Sequence, residues 1–210
     1  MYLAEKAYNV VRGFIQRYGP QVLKRRLLNA EFSAGHWDCL DTKGHDGVRH
    51  EIEKYANQGA VLDFGCGWGN VGMNLHPSAY SFYTGVDISD VVIEKAGARA
   101  TSKGFTDRNE YRQSDILTFI PERQYTVIVF GDSIYYIALP QIIPLLRRYS
   151  QYLDKSGVVF VRIFNARGKL RRILDLIESQ FDVVHKKFPQ DVNACIVVFP
   201  PRVSNSRDSQ

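Results

Sequence analysis

The sequence has no long apolar run, and this absence limits the environments in which the chain can reside. Crossing a bilayer takes roughly 18 to 20 consecutive apolar residues, and no stretch of the 210 residues approaches that length. The first residues also lack the apolar core of a signal peptide. We therefore expect an intracellular, cytoplasmic protein without a transmembrane segment.

Cysteine is scarce as well. The three cysteines, Cys39, Cys66 and Cys195, are an odd number, lie far apart and show no CxxC spacing. No histidine stands near them in the register of a zinc finger. These absences argue against a disulfide framework and against structural zinc, and we predict no metal site.

The body of the chain has no excess of one charge. There are 27 Lys and Arg against 22 Asp and Glu, a net charge of +5. Residues 1–29 hold six bases and one acid, which accounts for the whole excess and leaves the remainder balanced. A balanced body disfavours nucleic acid as a partner. The basic leading segment is either a solvated helix face or a surface for an anionic partner.

The length suits one domain with a single core, and its first part is helical in pattern. Apolar residues recur at intervals of three and four over residues 3–18, which predicts an amphipathic helix that ends at Gly19-Pro20. A second helix over 21–29, a polar loop over 33–47 and a third helix over 48–57 follow. We interpret residues 1–58 as a helical lid whose apolar stripe docks on the core.

From residue 60 the pattern becomes strand, turn and helix, which is typical of an α/β fold. Short β-branched or aromatic runs alternate with helical patterns, including helices over 91–102 and 141–153. This predicts a doubly wound, mostly parallel sheet with helices on both faces. The strands predicted at 181–186 and 194–199 are too close for an intervening helix, so we expect a C-terminal antiparallel hairpin. Residues 59–199 would form the domain, with a frayed tail over 200–210.

A glycine-rich turn carries the first chemical signal. The strand Val61 to Phe64 runs directly into Gly65, Gly67 and Gly69, a turn without Cβ atoms where a nucleotide-like ligand can approach the backbone. The dinucleotide fingerprint GxGxxG would need glycine at position 70, where Asn70 stands. Asp63, two residues before Gly65, would repel a pyrophosphate and attract a cationic cofactor. These residues favour S-adenosylmethionine.

Two acids further along are compatible with the same cofactor. Asp87 ends the second strand, where a carboxylate can accept hydrogen bonds from ribose hydroxyls, and Asp115 follows the third strand. The sequence thus has an acid, the GxGxG turn, and an acid after each of the next two strands. Over about residues 60–199 this pattern resembles that of the class I S-adenosylmethionine-dependent methyltransferases. This family's fold is a seven-stranded sheet that ends in an antiparallel hairpin.

The resemblance implies a role for each matching residue. Asp63 and the backbone of Gly65, Cys66, Gly67 and Gly69 would hold the methionine moiety of the cofactor, and S-adenosylhomocysteine would be the product. Asp87 would bind the ribose and Ile88 one adenine face, while Asp115 and Ile116 would bind the adenine edge. The alternatives are that Asp87 and Asp115 only cap helices and that Cys66 only packs.

The acceptor side is less well defined in sequence. After the fourth strand comes Gly131-Asp132-Ser133-Ile134, and not the acid or amide with Pro-Pro and an aromatic residue that enzymes methylating adenine or glutamine amino groups carry. The sequence looks more similar to enzymes that methylate small molecules: a sugar, a glycan precursor or a natural product, on oxygen or nitrogen. Our candidates for base or acceptor contact are Asp132, His36 and Tyr135, with capping, surface or packing roles as the alternatives.

The segment around Trp37 stands where the family has a variable lid. Trp37 would either cover the adenosine or anchor the loop. The basic side chains of the first helix, together with Lys24, Arg25 and Arg26, would face outward near the pocket mouth, available to a phosphate or carboxylate on an acceptor such as a nucleotide sugar.

Two other functions compete with a methyltransferase of small molecules. One is an NAD(P)-dependent oxidoreductase on a similar sheet, which Asp63 and Asn70 disfavour. The other is a catalytically inactive partner subunit that keeps the cofactor site. The oligomeric state cannot be deduced from the sequence.

Overall fold

The computed structural model describes residues 2–38, 46–166, 168, 170–189 and 193–201. The strands in these ranges are β1 (Ala60–Phe64), β2 (Phe82–Asp87), β3 (Asn109–Gln113), β4 (Tyr125–Gly131), β5 (Leu153–Phe164), β6 (His185–Lys187) and β7 (Ala194–Phe199). The helices are α1 (Tyr2–Tyr18), α2 (Gln21–Ser33), α3 (Asp46–Ala56), α4 (Asn70–Asn74), α5 (Asp90–Lys103), α6 (Leu139–Ser150) and α7 (Arg171–Gln180), with a 3-10 turn at Ile134–Tyr136.

The strands form one sheet in the order β3-β2-β1-β4-β5-β7-β6. Strands β1 to β5 are parallel, and β7 lies antiparallel between β5 and β6. The predicted mostly parallel sheet with a C-terminal antiparallel hairpin is therefore confirmed. The order of connections reverses between β1 and β4, and at such a point the carboxyl ends of the strands open a crevice.

Several element boundaries differ from the prediction. Helix α2 continues to Ser33, beyond the predicted end at residue 29. Helix α6 ends at Ser150 and not at residue 153, because Leu153 pairs with Tyr125 as β5 begins. Strand β6 has only three residues, since Phe181 ends α7 and stacks on Phe199 in the core with ring centroids 4.5 Å apart. None of the described helices is long and apolar enough to cross a membrane.

Alternate residues of β1 supply the two faces of the sheet. Leu62 and Phe64 belong to a cluster with the side chains of α6 and α7, whereas Val61 belongs to a cluster with α3. In that second cluster Ile52 and Ala56 are fully buried. Helix α3 is therefore part of the core, and packing does not divide the chain at residue 58, the predicted end of the lid.

The first helix faces in the direction opposite to the predicted one. Its apolar side chains point to solvent, with Val10 67% and Phe14 64% exposed, while Gln16 is only 6% exposed. Arg12 and Arg17 make contacts toward the rest of the chain. The expected docking of the apolar stripe on the core is wrong, because ion pairs and hydrogen bonds of the polar face hold this helix.

Candidate functional site

The glycine turn after β1 has one open position. Gly65, Gly67 and Gly69 all have positive φ, at 74°, 51° and 73°. A Cβ on Gly65 would meet the Ser133 side chain at 2.6 Å, and one on Gly69 would meet Tyr111 at 2.7 Å. Nothing lies within 4 Å of a Cβ at Gly67. Two of the glycines therefore serve packing, and the third leaves space beside the backbone for a ligand.

Asp87 lies at the edge of this space. One carboxylate oxygen accepts the Gly67 N–H at 3.1 Å and the other accepts the Ser89 N–H at 3.0 Å. Burial raises the pKa of Asp87, and these backbone donors oppose the effect. The neighbouring Ile88 is half-buried, and its carbonyl accepts from the Gln113 side chain at 3.0 Å.

Asp63 lies beneath the turn. It is 2% exposed, and its carboxylate accepts the Tyr83 hydroxyl at 2.7 Å. Burial raises the pKa of Asp63 to about 7, and the charge of Asp87 adds to the effect. Burial also raises the pKa of the Cys66 thiol well above its usual range, so this cysteine stays protonated and is no nucleophile.

Asp115 already has two partners. One oxygen accepts the Leu117 N–H at 2.8 Å, which forms a local turn, and the other lies 3.9 Å from the ammonium of Lys24 on α2. Ile116 is half-buried beside it, and its carbonyl accepts the Tyr149 hydroxyl at 2.6 Å. The acid predicted for the adenine edge thus faces the N-terminal helices.

Helix α2 lies along the same edge of the site. The Ser89 hydroxyl donates to the Asn29 side chain at 2.7 Å, and the Asn29 amide donates to Asp90 at 3.2 Å. Arg25 lies 3.6 Å from the Asp90 carboxylate. The expectation of an outward-facing basic cluster is therefore wrong for Lys24, which pairs with the buried Asp115. Arg25 pairs with the exposed Asp90 and stays partly exposed, and Arg26 is exposed.

A buried carboxylate joins the two N-terminal helices to the following turn. Glu31, 2% exposed, accepts two hydrogen bonds from Arg12 of α1, at 2.5 and 2.9 Å, and a third from the Trp37 indole at 3.2 Å. The Phe32 ring lies between Trp37 and Trp68, with centroid distances of 5.9 and 6.1 Å. Of the two roles open to Trp37, these contacts support anchoring.

The three acceptor candidates are not brought together. Both carboxylate oxygens of Asp132 are engaged, one with Arg162 and the other with the Phe164 N–H at 2.8 Å, so this acid joins β4 to β5. His36 is exposed in the turn after α2. Tyr135 donates its hydroxyl to Tyr136, and burial raises the pKa of both, which keeps them protonated donors and not bases.

Sequence reasoning did not single out Ser133. Its hydroxyl is buried and has no hydrogen-bond partner among the described residues, and its Cβ lies against Gly65. A buried, unpaired hydroxyl beside an open turn is ready to bond a ligand. The signal was its position after Asp132 at the carboxyl end of β4. Glu31 gave no such signal, because its partner Arg12 is 19 residues away.

Comparison with known proteins agrees with this geometry. Residues 61–157 match the model of a methyltransferase-domain family. The match covers less than half of the chain and agrees with the resemblance to the class I S-adenosylmethionine-dependent methyltransferases. The matched domain is that of an enzyme with S-adenosylmethionine as its cofactor. No curated protein matches the sequence.

Solved structures share the fold of this chain at low sequence identity. An S-adenosylmethionine-dependent methyltransferase from Clostridium acetobutylicum is 16% identical with a TM-score of 0.64, covering 81% of this chain and 98% of its own. The N-methyltransferase NodS from Bradyrhizobium japonicum, in complex with S-adenosyl-l-homocysteine, is 16% identical with a TM-score of 0.62, covering 79% and 91%. A TehB-like methyltransferase from Corynebacterium glutamicum is 22% identical with a TM-score of 0.63, covering 82% and 97%.

The residues of the turn fit the cofactor. The space beside Gly67 is free of protein atoms, the Asp87 carboxylate adjoins it, and the Ser133 hydroxyl lacks a protein partner. When bound, S-adenosylmethionine supplies a sulfonium methyl group, which passes to the acceptor nucleophile as the carbon–sulfur bond breaks. The protein then contributes alignment and exclusion of water.

Proposed function

We propose that this methyltransferase acts on a small-molecule acceptor, with the cofactor bound along the turn of residues 65–69. The observation that carries the proposal is the open space beside Gly67, bordered by Asp87. A carboxylate that ends the second strand can accept hydrogen bonds from ribose hydroxyls. In this proposal Asp87 binds the ribose, and Ile88 packs on the adenine.

Asp63 has an indirect role in the proposed site. Its carboxyl group lies under the turn and accepts the Tyr83 hydroxyl, and a cationic ligand bound above it favours the ionised form of Asp63. The Ser133 hydroxyl is one buried polar group beside the turn that has no hydrogen-bond partner among the described residues. Together they favour a ligand whose methionine end carries positive charge.

The N-terminal helices cover the proposed site. The Phe32 ring of α2 contacts the Trp68 ring of the turn at a tilted angle, and the Lys24 and Asn29 contacts hold α2 along the proposed adenine edge. If Asp115 binds the adenine amino group, Lys24 must yield part of its contact with that acid. We infer that α2 opens and closes as the cofactor enters and leaves.

The acceptor class follows from what surrounds the crevice. Arg17 of α1 donates to the Tyr135 carbonyl of the 3-10 turn, so the first helix lies against this side of the crevice and favours a compact acceptor over a folded macromolecule. A sugar, a glycan precursor or a natural product with a reactive oxygen or nitrogen fits this description. The NodS relative is itself described as an N-methyltransferase.

The first test of the proposal is cofactor binding. Gly67→Val places a side chain in the open space, and we expect it to reduce S-adenosylhomocysteine affinity at least about a hundredfold, a loss of roughly 2.8 kcal/mol. Isothermal titration calorimetry measures the affinity.

Gly104→Val is the matched control, since Gly104 also has positive φ, at 70°, with nothing within 4 Å of its Cβ, and lies at the end of α5. Both variants carry similar backbone strain, so only the first should lose the ligand. Equal affinities in the two folded variants would refute the site, and tight binding of NADH would favour the oxidoreductase alternative.

A further inference from the structure

A small cleft lies beside the 3-10 turn, outside the glycine turn. It is formed where the end of α1, the 3-10 turn and the start of α7 meet. Its lining includes Arg17, Tyr18, Tyr135, Ile137, Leu170 and Arg172. Two of these side chains are guanidinium groups, contributed by helices that are far apart in sequence.

Neither guanidinium is paired with a carboxylate of the residues that the structure describes. Arg12, Arg162 and Arg171 each pair with a carboxylate. No such pair is found for Arg17 or Arg172 within the described ranges. Arg17 donates its Nε–H to the Tyr135 carbonyl at 3.2 Å, which orients the side chain. The two terminal nitrogens of the guanidinium take no part in that bond. Guanidinium groups bind carboxylate and phosphate through paired N–H donors.

The remaining lining of the cleft is largely apolar. Ile137 and Ile173 are each 4% exposed, and Leu170 is half-buried. Such a surface gains free energy by covering the apolar part of a ligand. The cleft therefore suits a molecule that has an anionic group on an apolar body, and not a fully hydrated ion.

The cleft is close to the cofactor turn. Ser133 abuts Gly65, and Tyr135 in the cleft wall is two residues further along the chain. Two residues span at most about 7 Å. A small molecule held in the cleft by its anionic group can thus extend its other end to the turn.

We propose that this cleft binds a carboxylate or phosphate group of the methyl acceptor. The proposal rests on the methyltransferase function proposed above and adds the charge class of the acceptor. Of the basic residues from which the sequence predicts an anionic contact, the proposal keeps Arg17 and adds Arg172, whereas Lys24 and Arg25 pair with Asp115 and Asp90.

Binding of simple probes tests the proposal without knowledge of the acceptor. Phenyl phosphate, benzoate and neutral benzamide are titrated by calorimetry at low salt into the full chain saturated with S-adenosylhomocysteine. We expect at least one anion to bind, more weakly as salt is added, and benzamide not to bind. The two anions separate a phosphate acceptor from a carboxylate acceptor.

Arginine variants locate the binding. Arg172→Ala should weaken binding of the anion at least about tenfold, because it removes charge-assisted hydrogen bonds to the ligand. Arg171→Ala is the control, as Arg171 is adjacent, exposed and paired with Asp175 at 2.8 Å.

The proposal is overturned if neither anion binds, or if Arg171→Ala weakens binding as much as Arg172→Ala. S-Adenosylhomocysteine affinity is measured in the same samples. If the wild type did not bind S-adenosylhomocysteine, the proposed function would be contradicted. If it bound S-adenosylhomocysteine but neither anion, only the proposal for the cleft would be contradicted.

Discussion

Asp63 is an acid whose surroundings favour its protonated form. An aspartate in an unfolded chain has a pKa of about 3.9, whereas burial raises the pKa of folded Asp63 to about 7. Between these values the folded state keeps a proton that the unfolded state has lost. The contribution of Asp63 to stability therefore falls as pH rises through this window and becomes constant above it.

Asp63→Asn tests this link. The asparagine keeps an oxygen for the Tyr83 hydroxyl but removes the charge. We expect the variant to be more stable than the wild type by at least about 1 kcal/mol near pH 8, and the difference to shrink toward zero near pH 4. Urea unfolding at several pH values measures it.

Asp182→Asn serves as the comparison, because Asp182 is exposed. It should leave the pH dependence of stability unchanged. The opposite outcome is that the free energies of unfolding of the wild type and of Asp63→Asn change in parallel over the whole pH range. Asp63 would then be ionised in the folded state, with other groups offsetting the cost of burying its charge.

At the scale of elements, α1 is held by a buried ion pair and not by its apolar stripe. Arg12→Ala would leave Glu31, 2% exposed, without its main counter-charge. Removing one partner of a buried pair costs about 3 to 5 kcal/mol, and solvent access to Arg12, 24% exposed, reduces this. We expect a loss of about 2 kcal/mol and faster proteolysis within α1.

Val10→Ser is the matched change on the opposite face of α1. Val10 is 67% exposed, so stability should change by no more than about 0.5 kcal/mol. Chemical denaturation of both variants gives the two values. A larger loss for Val10→Ser than for Arg12→Ala would mean that the apolar stripe, as first expected, docks on the core.

The sequence predicted the strands better than the helix contacts. Apolar runs such as 125–130 identify buried parallel strands, because only a strand covered on both faces is apolar throughout. The orientation of α1 was not predictable, since a 3.6-residue period shows that a helix has two faces but not which one meets the core. The same holds for Arg12 and Glu31, whose pairing depends on how α1 and α2 cross.

The candidate site also has residues whose positions the sequence predicts and residues whose contacts it does not predict. Gly67 and Asp87 stand in a local motif whose spacing predicts their positions in the fold. Whether Asp132 is available to a ligand depends on Arg162 from another strand, and whether Asp115 is available depends on Lys24 from the N-terminal helices. Long-range partners of this kind decide whether an acid is free, and they leave no pattern in a single sequence.

At the scale of the whole molecule, the packing boundary lies before α3. Val48, Ile52 and Ala56 of this helix are buried against the sheet, 7%, 0% and 0% exposed. Helices α1 and α2 contact the core mainly through polar groups at the edge of the site, such as Lys24 and Asn29. We therefore propose that the lid comprises α1 and α2 and does not include α3.

Two truncations distinguish these boundaries. Removal of residues 1–38 should leave a chain that unfolds cooperatively and binds S-adenosylhomocysteine within about tenfold of the full chain, a change of roughly 1.4 kcal/mol. Removal of residues 1–57 also deletes α3 and exposes the core side chains of Val61, Val127 and Phe160. Each large core side chain lost costs about 2 to 5 kcal/mol, against a typical total stability of 5–15 kcal/mol, so the shorter chain should show no cooperative transition by calorimetry. If both truncated chains melt cooperatively, α3 belongs to the lid and the boundary inferred from the sequence was correct.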